Sequence, residues 1–279
     1  MELQPANLDE IREQVRAALA EDIGPGDISA KLIAADTQTN AELLCREEAV
    51  ICGLAWAQEV TRQVSGAIQL HSLVADGDLV AANTIIAKLE GPARDILSAE
   101  RTVLNFLQVL SATATQTRRY VDLVRDTKAQ ILDTRKTLPG FRNAQKYAVR
   151  CGGGQNHRIG LYDAFLIKEN HIKAAGSISN ALAQARQQAP NNLLEVEVET
   201  LDQLKEAIAA QPDRILLDNF TLEKLTTAVG LCSGRVPLEA SGGIDRSTIA
   251  AIAATGVDFI SVGTLTKDID AIDFSLRFL

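Results

Sequence analysis

Apolar residues near the start of the chain recur at the spacing of a helix. Asn7 stands three residues before Glu10, and the apolar positions that follow are Ile11, Val15, Ala18 and Leu19. This pattern is typical of a capped amphipathic helix. We expect the helix to end before residues 24–27, where two glycines and a proline predict a turn.

Between residues 40 and 114, strand and helix patterns alternate. Two β-rich stretches, residues 41–50 and 67–74, flank a predicted helix over residues 55–64. A longer helix is expected from Ala93 to about Ala114, because apolar residues recur along one side of it. Residues 1–114 are therefore predicted to form a first domain that combines helices and strands.

After about residue 128, short apolar strands alternate with helical stretches, which is typical of parallel β/α units. The predicted strands are 129–133, 164–168, 193–198, 214–218, 236–240 and 257–262. Thr200 with Gln203 is predicted to cap one intervening helix, and Asp245 another that runs from Arg246 to Ala254. Six strands are too few for an eightfold barrel. We therefore favour an incomplete α/β barrel for residues 115–279, and a doubly wound open sheet is the alternative that the pattern leaves open.

Composition and charge limit the kinds of function. The chain has 279 residues, of which 46% are hydrophobic and 23% charged, a mixture typical of a globular protein. Its net charge of −8 argues against a general nucleic-acid or anionic-membrane surface. The four cysteines form no C-x-x-C pair, and no apolar run approaches the ~20 residues that cross a bilayer. We expect a cytoplasmic protein with reduced thiols.

Polar or glycine residues follow nearly every predicted strand of the second domain. The carboxyl ends of parallel strands meet at one mouth of a barrel, where active sites form. The residues predicted to gather there are Asp133 to Lys136, Lys168 to Asn170, Glu197, Asp218, Asn219, Ser241 to Gly243, Gly263 and Thr264. Recurrence in at least five successive units is hard to explain as ordinary loop chemistry, so we place the function at this mouth.

One predicted strand carries three carboxylates on a single face. Period-two alternation along residues 193–200 places Glu195, Glu197 and Glu199 together, opposite an apolar face. We expect the carboxylates to point toward the barrel axis. An edge strand with one wet face is the alternative, and the pattern alone does not select which glutamate contacts a metal.

Buried carboxylates require cations nearby. Lys136, Lys168 and a bound metal are the candidates to compensate this face. Glu197 and Asp218 stand at neighbouring strand ends and offer hard oxygen donors. Such donors suit Mg²⁺ that is held together with substrate phosphates.

Positive charge concentrates in residues 133–173, which hold eight basic and three acidic side chains within a negative chain. Two of the three histidines, His157 and His171, lie in the same segment. The rigid fork of arginine suits planar carboxylates, and lysine acts as a point charge toward phosphate. Lys146 and Arg150, on a helix predicted after Pro139, are expected to be plain surface charges.

Glycines mark a candidate phosphate site. Residues 241–245, Ser-Gly-Gly-Ile-Asp, join a predicted strand to a predicted helix N-terminus, the arrangement that cradles phosphate. Gly263 after the next strand would complete the site, and a tight structural turn is the alternative. The run Gly152 to Gly154 either approaches an anion or forms a flexible loop. Three remaining candidates, Cys45, Cys52 and His71, are interpreted as structural.

Several spaced motifs resemble those of the quinolinate phosphoribosyltransferase family. Within residues 134–172 they are T-R-K-T-x-P-G from Thr134, K-Y-A-V from Lys146, G-G-G-x-N-H-R-x-G-L from Gly152 and I-K-x-N-H-I from Ile167. Further matches are E-D-x-G-x-G-D from Glu21, E-R-T-x-L-N-F from Glu100, E-V-E-V from Glu195, L-D-N from Leu217 and S-G-G-I from Ser241. The resemblance therefore spans essentially the whole chain.

The resemblance implies a reaction and a fold. The reaction is transfer of phosphoribose from 5-phosphoribosyl 1-pyrophosphate (PRPP) to quinolinate with decarboxylation, which yields nicotinate mononucleotide, pyrophosphate and CO₂ in NAD synthesis. The fold is the type II phosphoribosyltransferase fold, an N-terminal α/β sandwich followed by an incomplete α/β barrel, with the extreme C-terminus packing back on the first domain. It also implies a homodimer or a larger assembly of dimers, in which Arg101 reaches the partner's site.

The same resemblance divides the site residues between two substrates. Quinolinate would be held by Arg101, Arg135, Lys136, His157 and Arg158. PRPP would be held by Lys136, Lys168, Glu197, Asp218, Ser241, Gly242, Gly243 and Gly263. Lys136, Lys168, Glu197 and Asp218 would act in catalysis, Glu197 and Asp218 would hold Mg²⁺ with PRPP, and no organic cofactor is expected.

Three other functions are weighed against this one. A nicotinate-specific enzyme or the related molybdenum-operon phosphoribosyltransferase would share the fold but need fewer cations. A Schiff-base aldolase would use Lys168 as a desolvated nucleophile. A catalytically inactive anion-binding protein would bind PRPP without turnover.

Overall fold

The computed structural model describes residues 6–279 of the chain. These residues form two compact units. The first comprises residues up to Arg118, Leu138–Gly153 and Asp268–Leu279, and the second comprises Arg119–Thr137 and Gly154–Lys267. The division into domains 1–114 and 115–279 stays a prediction.

The described helices and strands are numbered in chain order. They are α1 (Leu8–Asp22), β1 (Gln38–Cys45), β2 (Ala49–Val50), α2 (Leu54–Val64), β3 (Gln69–Ser72), β4 (Leu79–Val80), β5 (Thr84–Pro92), α3 (Ala93–Val124), β6 (Gln130–Leu132), α4 (Arg142–Cys151), β7 (Ala164–Ile167), α5 (Glu169–Ala175), α6 (Ile178–Gln188), β8 (Leu193–Val198), α7 (Leu201–Ala210), β9 (Arg214–Asp218), α8 (Leu222–Cys232), β10 (Leu238–Ser241), α9 (Ile249–Ala254), β11 (Phe259–Ser261), α10 (Thr264–Lys267) and β12 (Phe274–Phe278). No described helix is long and apolar enough to span a membrane.

The first unit is built on a four-stranded antiparallel sheet in the order β12-β1-β5-β3. The C-terminal strand β12 pairs with β1 along five residues, from Ala41 opposite Phe278 to Cys45 opposite Phe274. Side chains of the sheet and of helices α1 to α4 share one apolar core, in which Trp56 and Leu107 are buried. Strand β12, which follows the second unit in the sequence, therefore completes the sheet that β1 begins.

Helix α1 confirms the cap that the sequence predicts. The Asn7 side chain accepts hydrogen bonds from the backbone N–H groups of Asp9 and Glu10, which would otherwise lack partners in the first turn. Ile11 and Val15, on the apolar side, are buried. The strands and helix predicted over residues 41–74 are confirmed as β1 to β3 and α2.

Helix α3 is longer than the sequence predicts, because it runs to Val124 instead of ending near Ala114. The added turns are rich in threonine, which weakens an apolar helical pattern. Thr117 donates from its hydroxyl to the Thr113 carbonyl at 2.8 Å, so this residue type is accommodated within the helix. The end of the helix is decided by packing that the pattern does not show.

Gly152 packs tightly against α3. A Cβ atom at this position would lie 2.3 Å from the Ala114 carbonyl oxygen, which is closer than atoms can approach. Gly152 has ordinary right-handed backbone angles, so space and not conformation requires a glycine. The sequence predicts that the run from Gly152 to Gly154 either approaches an anion or forms a flexible loop. Neither prediction describes Gly152, which is needed for close packing against α3.

The second unit contains a six-stranded parallel sheet in the order β6-β11-β10-β9-β8-β7. Strands that follow one another in the chain are neighbours from β7 to β11, and the first strand, β6, pairs with the last. This cyclic order is that of a barrel and not of a doubly wound sheet, in which the order reverses at a switch point. Among the described strands, β6 and β7 do not pair with each other, so the predicted incomplete barrel is confirmed.

The prediction for the segment after β10 is wrong in one respect. Asp245 accepts hydrogen bonds from the backbone N–H groups of Ser247 and Thr248, but these residues form a turn. Helix α9 begins only at Ile249 and has six residues. The side chain caps a tight turn first, and the helix follows it.

Candidate active site

A cavity of about 340 Å³ opens at the carboxyl ends of the parallel strands in the second unit. Its lining residues are Thr134, Arg135, Lys136, His157, Arg158, Leu166, Lys168, Glu197, Leu216, Asp218, Glu239, Ser241 and Ser261. Eight of the residues predicted for the site are among them. Separate strand ends bring these side chains together, as the barrel topology requires.

Strands β8 and β9 supply the acidic side of the cavity. Glu197 forms an ion pair with Lys168, which follows β7. Asp218 ends β9, and its pKa is raised by partial burial and by the charge of Glu197. Glu197, Glu199 and Asp218 each offer an oxygen atom within 4.8 Å of the others, a set of hard donors that fits Mg²⁺. Since β8 lies between β7 and β9, the edge-strand interpretation is wrong.

Lys168 does not have the surroundings of a Schiff-base nucleophile. Its side chain is 47% exposed and is paired with a carboxylate. A reactive lysine amine needs burial in apolar surroundings or a neighbouring cation to lose its proton near neutral pH. The geometry therefore favours a lysine that acts as a fixed positive charge.

Two arginines supply the basic side. Partial burial lowers the pKa of the Arg158 guanidinium, and the positive charge of Arg135 lowers it further. Like charges at this range are unfavourable without an anion between them. The pair therefore suits a substrate that carries more than one negative charge.

Carboxylates hold the main chain on both sides of Arg158. Asp133, buried at the end of β6, accepts hydrogen bonds from the His157 backbone N–H at 2.8 Å and from the Asn156 side chain at 2.6 Å. Asp163 accepts from the backbone N–H groups of Ile159 at 2.7 Å and of Gly160 at 3.0 Å. The loop that presents Arg158 is thus fixed before any substrate arrives.

Glu195 of β8 and Glu239 of β10 form a buried carboxyl pair at the cavity, and Glu239 is one of the lining residues. Both side chains are fully buried. The Nε2 atom of His157 lies 2.8 Å from Glu195 and 3.6 Å from Glu239, and Arg214 Nη1 lies 3.0 Å from Glu239. Burial raises the pKa of both carboxyls, that of Glu239 to about 7, and their mutual repulsion adds to the Glu239 shift. The sequence suggests that Lys136 and Lys168 compensate this carboxylate face. The groups that lie closest to the buried pair are instead His157 and Arg214.

The glycines predicted to bind phosphate adopt a turn beside the cavity. Gly242 and Gly243 have φ angles of 103° and 59°, which favour glycine. A Cβ atom on Gly242 would lie 2.1 Å from the Asn219 side-chain oxygen. Gly263 is close to Lys136, since a Cβ atom there would lie 3.1 Å from Lys136 Cδ. The helix N-terminus predicted directly after Gly243 is absent from this position, because α9 begins later.

Several other predicted residues lie in the first unit. Arg101 is exposed on α3, and its role in a partner's site stays a prediction. The surface interpretation of Lys146 is wrong, since only 3% of the residue is exposed. Arg150 is half-buried, with its guanidinium 5.6 Å from the ring centroid of Tyr147. Amphipathic spacing on α4 does not reveal which face the core covers.

Two functional candidates escaped the sequence reasoning. Glu239 is a single charged residue between Leu238 and Ala240, and Arg214 follows Asp213 at the start of an apolar run, so neither belongs to a visible cluster of site residues in the sequence. The period-two alternation that identified Glu195 could have found them. On β9 this alternation places Arg214, Leu216 and Asp218 on one face of the strand. Applied to β10, it places Glu239 with Ser241.

Comparisons with known proteins agree with this architecture. Residues 27–111 match the family model described as the quinolinate phosphoribosyl transferase N-terminal domain, and residues 113–277 match that of the C-terminal domain. The chain belongs to the quinolinate phosphoribosyltransferase family.

Individual members of the family are similar over nearly their whole length. The nicotinate-nucleotide pyrophosphorylase (carboxylating) of Mycobacterium leprae is 43% identical over 98% of this chain and 99% of that protein. A quinolinate phosphoribosyltransferase (decarboxylating) of Nicotiana tabacum is 39% identical over 96% of this chain and 82% of its own. The solved structure of the nicotinate-nucleotide pyrophosphorylase from Francisella tularensis has a TM-score of 0.98 and 52% identity, covering 100% of this chain and 99% of that one.

Proposed function

We propose that this protein transfers the phosphoribosyl group of PRPP to quinolinate and releases CO₂, which gives nicotinate mononucleotide and pyrophosphate in NAD synthesis. The observation that carries the proposal is the cavity in which paired arginines face an acidic wall flanked by lysines. One side suits a planar dicarboxylate, and the other suits a phosphorylated sugar with its metal. Membership in the family and the names of its similar members support the same reaction.

The quinolinate side contains Arg135, Lys136, His157 and Arg158. The guanidinium groups of Arg135 and Arg158 are matched to carboxylates in shape and charge, so each is assigned to one carboxylate of the substrate. Binding the dianion between them relieves the repulsion that lowers the pKa of Arg158. Arg101 is assigned to the same substrate from a second copy of the chain.

The PRPP side contains Lys136, Lys168, Glu197 and Asp218. The two lysines are point charges for the pyrophosphate, and the carboxylates accept hydrogen bonds from the ribose hydroxyls. The turn formed by Ser241, Gly242 and Gly243, with Gly263 beside it, is assigned to the 5-phosphate through its backbone N–H groups. Each assignment uses a residue that lines the cavity or lies directly beside it.

Magnesium is proposed to bind together with PRPP. Glu197, Glu199 and Asp218 are the residues that would hold it. A bound Mg²⁺ neutralises phosphate charge and makes pyrophosphate a better leaving group. No organic cofactor is proposed.

The residues act on the reaction by holding and stabilising charge. The cavity aligns the pyridine nitrogen of quinolinate with the anomeric carbon of the ribose, and the bond to pyrophosphate breaks as the new bond forms. Glu197 stabilises the positive charge that develops on the ribose, and the lysines stabilise the departing pyrophosphate. The positive charge on the quaternised ring nitrogen then stabilises the electron pair that stays on the adjacent ring carbon when its carboxylate departs as CO₂. This carbon takes up a proton from water, which gives nicotinate mononucleotide.

A homodimer is part of the proposal. Arg101 is exposed on α3 in the first unit, and Leu161 and Tyr162 of the second unit are 76% and 77% exposed. Exposed apolar residues of this size suit a surface that a second copy covers.

Mixing two inactive variants, Arg101→Ala and Glu197→Gln, should restore part of the activity if one arginine serves the partner's site. If the mixture stays inactive under conditions where subunits exchange, this assignment is wrong.

A cytoplasmic location is proposed from the cysteines. All four thiols are buried as free side chains, which is the usage expected where thiols stay reduced. Cell fractionation followed by detection of the protein checks this point.

The deciding experiment is an assay of the purified protein with PRPP, Mg²⁺ and either quinolinate or nicotinate, following nicotinate mononucleotide and CO₂. We expect turnover with quinolinate alone. Turnover with nicotinate alone would keep the phosphoribosyl chemistry but contradict the dicarboxylate assignment. Binding of PRPP without turnover would indicate an anion-binding protein, and trapping of a carbonyl substrate by borohydride would indicate a Schiff-base enzyme.

A further inference from the structure

The buried carboxyl pair, Glu195 and Glu239, takes no part in the reaction steps proposed for the site. Glu195 and Glu239 are fully buried, yet charged groups of this kind are costly unless they serve a partner. Their polar neighbours include His157 and Arg214. Arg214 Nη1 lies 3.0 Å from Glu239, and its guanidinium also stacks 4.0 Å from the ring centroid of Phe259. Glu239 thus has a cation of its own, which leaves Glu195 to face His157.

The hydrogen bonds of His157 determine which ring nitrogen carries its proton. The Nδ1 atom accepts a hydrogen bond from the Arg158 backbone N–H at 2.8 Å, so this nitrogen carries no proton. The ring proton must then be on Nε2, which lies 2.8 Å from a Glu195 oxygen. This is an ion-pair contact and not one of the hydrogen bonds of the structure, so the charge of Glu195 is what favours a proton on this nitrogen. A carboxylate beside one ring nitrogen fixes the tautomer in this way in many sites.

The same arrangement argues against a metal ion between these residues. His157, Glu195 and Glu239 each have a ligand atom within 4.8 Å of the others. A metal on Nε2 would require that nitrogen to be deprotonated while Nδ1 keeps its acceptor role, which would make the ring an anion. Arg214 already compensates Glu239. The cluster is therefore better explained by an N–H group facing a carboxylate.

His157 connects this buried pair to the arginine of the cavity. Asp133 holds the backbone N–H of His157, and Asp163 holds the two backbone N–H groups after Arg158. The backbone N–H of Arg158 itself is held by the His157 ring. The orientation of the His157 ring therefore decides whether the backbone N–H of Arg158 has its hydrogen-bond acceptor.

We propose that Glu195 is a positioning residue for the dicarboxylate substrate: it holds His157 in the Nε2–H tautomer, and His157 in turn orients Arg158. The inference rests on the proposed function only for the identity of the substrate. Glu195 is fully buried and is not among the lining residues of the cavity, so it touches neither substrate.

The first test is spectroscopic and needs no activity. The chain has three histidines, so the ¹⁵N ring signals of His157 can be assigned by comparison with His71→Gln and His157→Gln. We expect the neutral Nε2–H tautomer in the wild type. We expect a mixture of tautomers in Glu195→Leu. A wild-type signal from the Nδ1–H tautomer or from the doubly protonated ring would overturn the proposal.

The second test separates positioning from a purely structural role. Glu195→Leu should raise the KM for quinolinate about 10- to 100-fold, as loss of a supporting partner does in other sites. The KM for PRPP should change by less than about twofold, since only one substrate depends on Arg158. Glu195→Gln keeps a side-chain oxygen as acceptor, so it should restore most of the quinolinate affinity. A melting temperature for each variant shows that the protein is folded.

The outcomes distinguish this inference from the function on which it rests. Wild-type protein without turnover on quinolinate would contradict the proposed function, while the tautomer measurement would still decide the positioning role. Active wild type with an unchanged quinolinate KM in Glu195→Leu would contradict the inference alone. An equal rise in both KM values would indicate general damage to the cavity and would also count against it. His71→Gln, exposed on β3 of the first unit, is the control expected to leave activity unchanged.

Discussion

The positive charge of Arg135 acts on Arg158 within the cavity, because it adds to the effect of burial in lowering the pKa of the Arg158 guanidinium. An anionic ligand bound to both guanidinium groups relieves this repulsion. The site is therefore prepared for a dianion before the substrate arrives, and each arginine should contribute strongly to its binding.

Replacing Arg135 by alanine should raise the KM for quinolinate about 10- to 100-fold, because hydrogen bonds to charged groups contribute about 1.5–3 kcal/mol. The KM for PRPP should stay nearly constant. Steady-state kinetics with each substrate varied in turn measures both values. Arg186→Ala is a matched control, since Arg186 is a surface arginine of α6 that pairs with Asp213 outside the cavity. An unchanged KM for quinolinate in the Arg135 variant would refute the clamp.

Replacing Glu197 by glutamine should act mainly on turnover. The substitution removes the charge that stabilises the developing cation and the partner of Lys168. Loss of one such electrostatic group lowers kcat by about 10²- to 10³-fold in other enzymes. Single-turnover kinetics at saturating substrates tests this expectation, with Glu223→Gln on the exposed face of α8 as the control. Wild-type turnover in the Glu197 variant would rule out this role.

At the scale of residues, the sequence predicts the rim of the site better than its floor. Of the eight predicted residues that line the cavity, six stand at or just after the end of a strand, and strand ends are recognisable from apolar runs. The other two, His157 and Arg158, lie on the loop between α4 and β7, and the family motif identified them. Glu239 was missed, and Lys146 was misjudged as a surface charge, for a common physical reason. Whether a charged side chain is buried depends on tertiary packing, which its neighbours in the sequence do not encode.

At the scale of elements, the type and order of helices and strands are predictable, but their ends depend on contacts. Strand β8 has the predicted bounds, because alternation of apolar and acidic residues defines it. Helix α3 exceeds its predicted end by ten residues, and α9 begins three residues later than expected. Local turns and close packing decide such ends.

Two glycines in right-handed backbone should respond to alanine in opposite directions. Gly152 has no room for a Cβ atom beside the Ala114 carbonyl, so Gly152→Ala should destabilise the protein by about 1–3 kcal/mol, the usual cost of overpacking.

Gly230 is exposed within α8, and a Cβ atom added there would meet no other atom within 4 Å. Gly230→Ala should therefore stabilise the protein by about 0.5–1 kcal/mol through helix propensity. Thermal or urea unfolding of both variants against the wild type measures these differences. The same sign for both substitutions would contradict this account of the two positions.

At the scale of the whole molecule, the buried carboxyl pair links stability to pH. The pKa of Glu239 is raised to about 7 by burial and by Glu195, from an ordinary value of 4.5. Between these values the folded chain holds a proton that the unfolded chain has released. The contribution of this group to stability is therefore complete below pH 4.5 and is lost as the pH rises to about 7.

Substituting Glu239 by glutamine should remove this dependence. The wild type should lose on the order of 3 kcal/mol from this group between pH 4.5 and 7, by the relation of about 1.4 kcal/mol for each pKa unit. Urea unfolding at a series of pH values compares the two proteins, and the difference between them isolates the carboxyl from other titrating groups. Parallel curves for wild type and Glu239→Gln would show that Glu239 does not titrate in this range.

The pairing of β12 with β1 has a consequence for synthesis on the ribosome. The first unit needs residues from both ends of the chain, so its sheet stays incomplete until Phe274–Phe278 leave the exit tunnel. Until then β1 presents an unpaired edge, which is a surface prone to aggregation. A nascent chain of this protein therefore completes its first unit only after the whole second unit has been synthesised, and the second unit emerges while the first is still open.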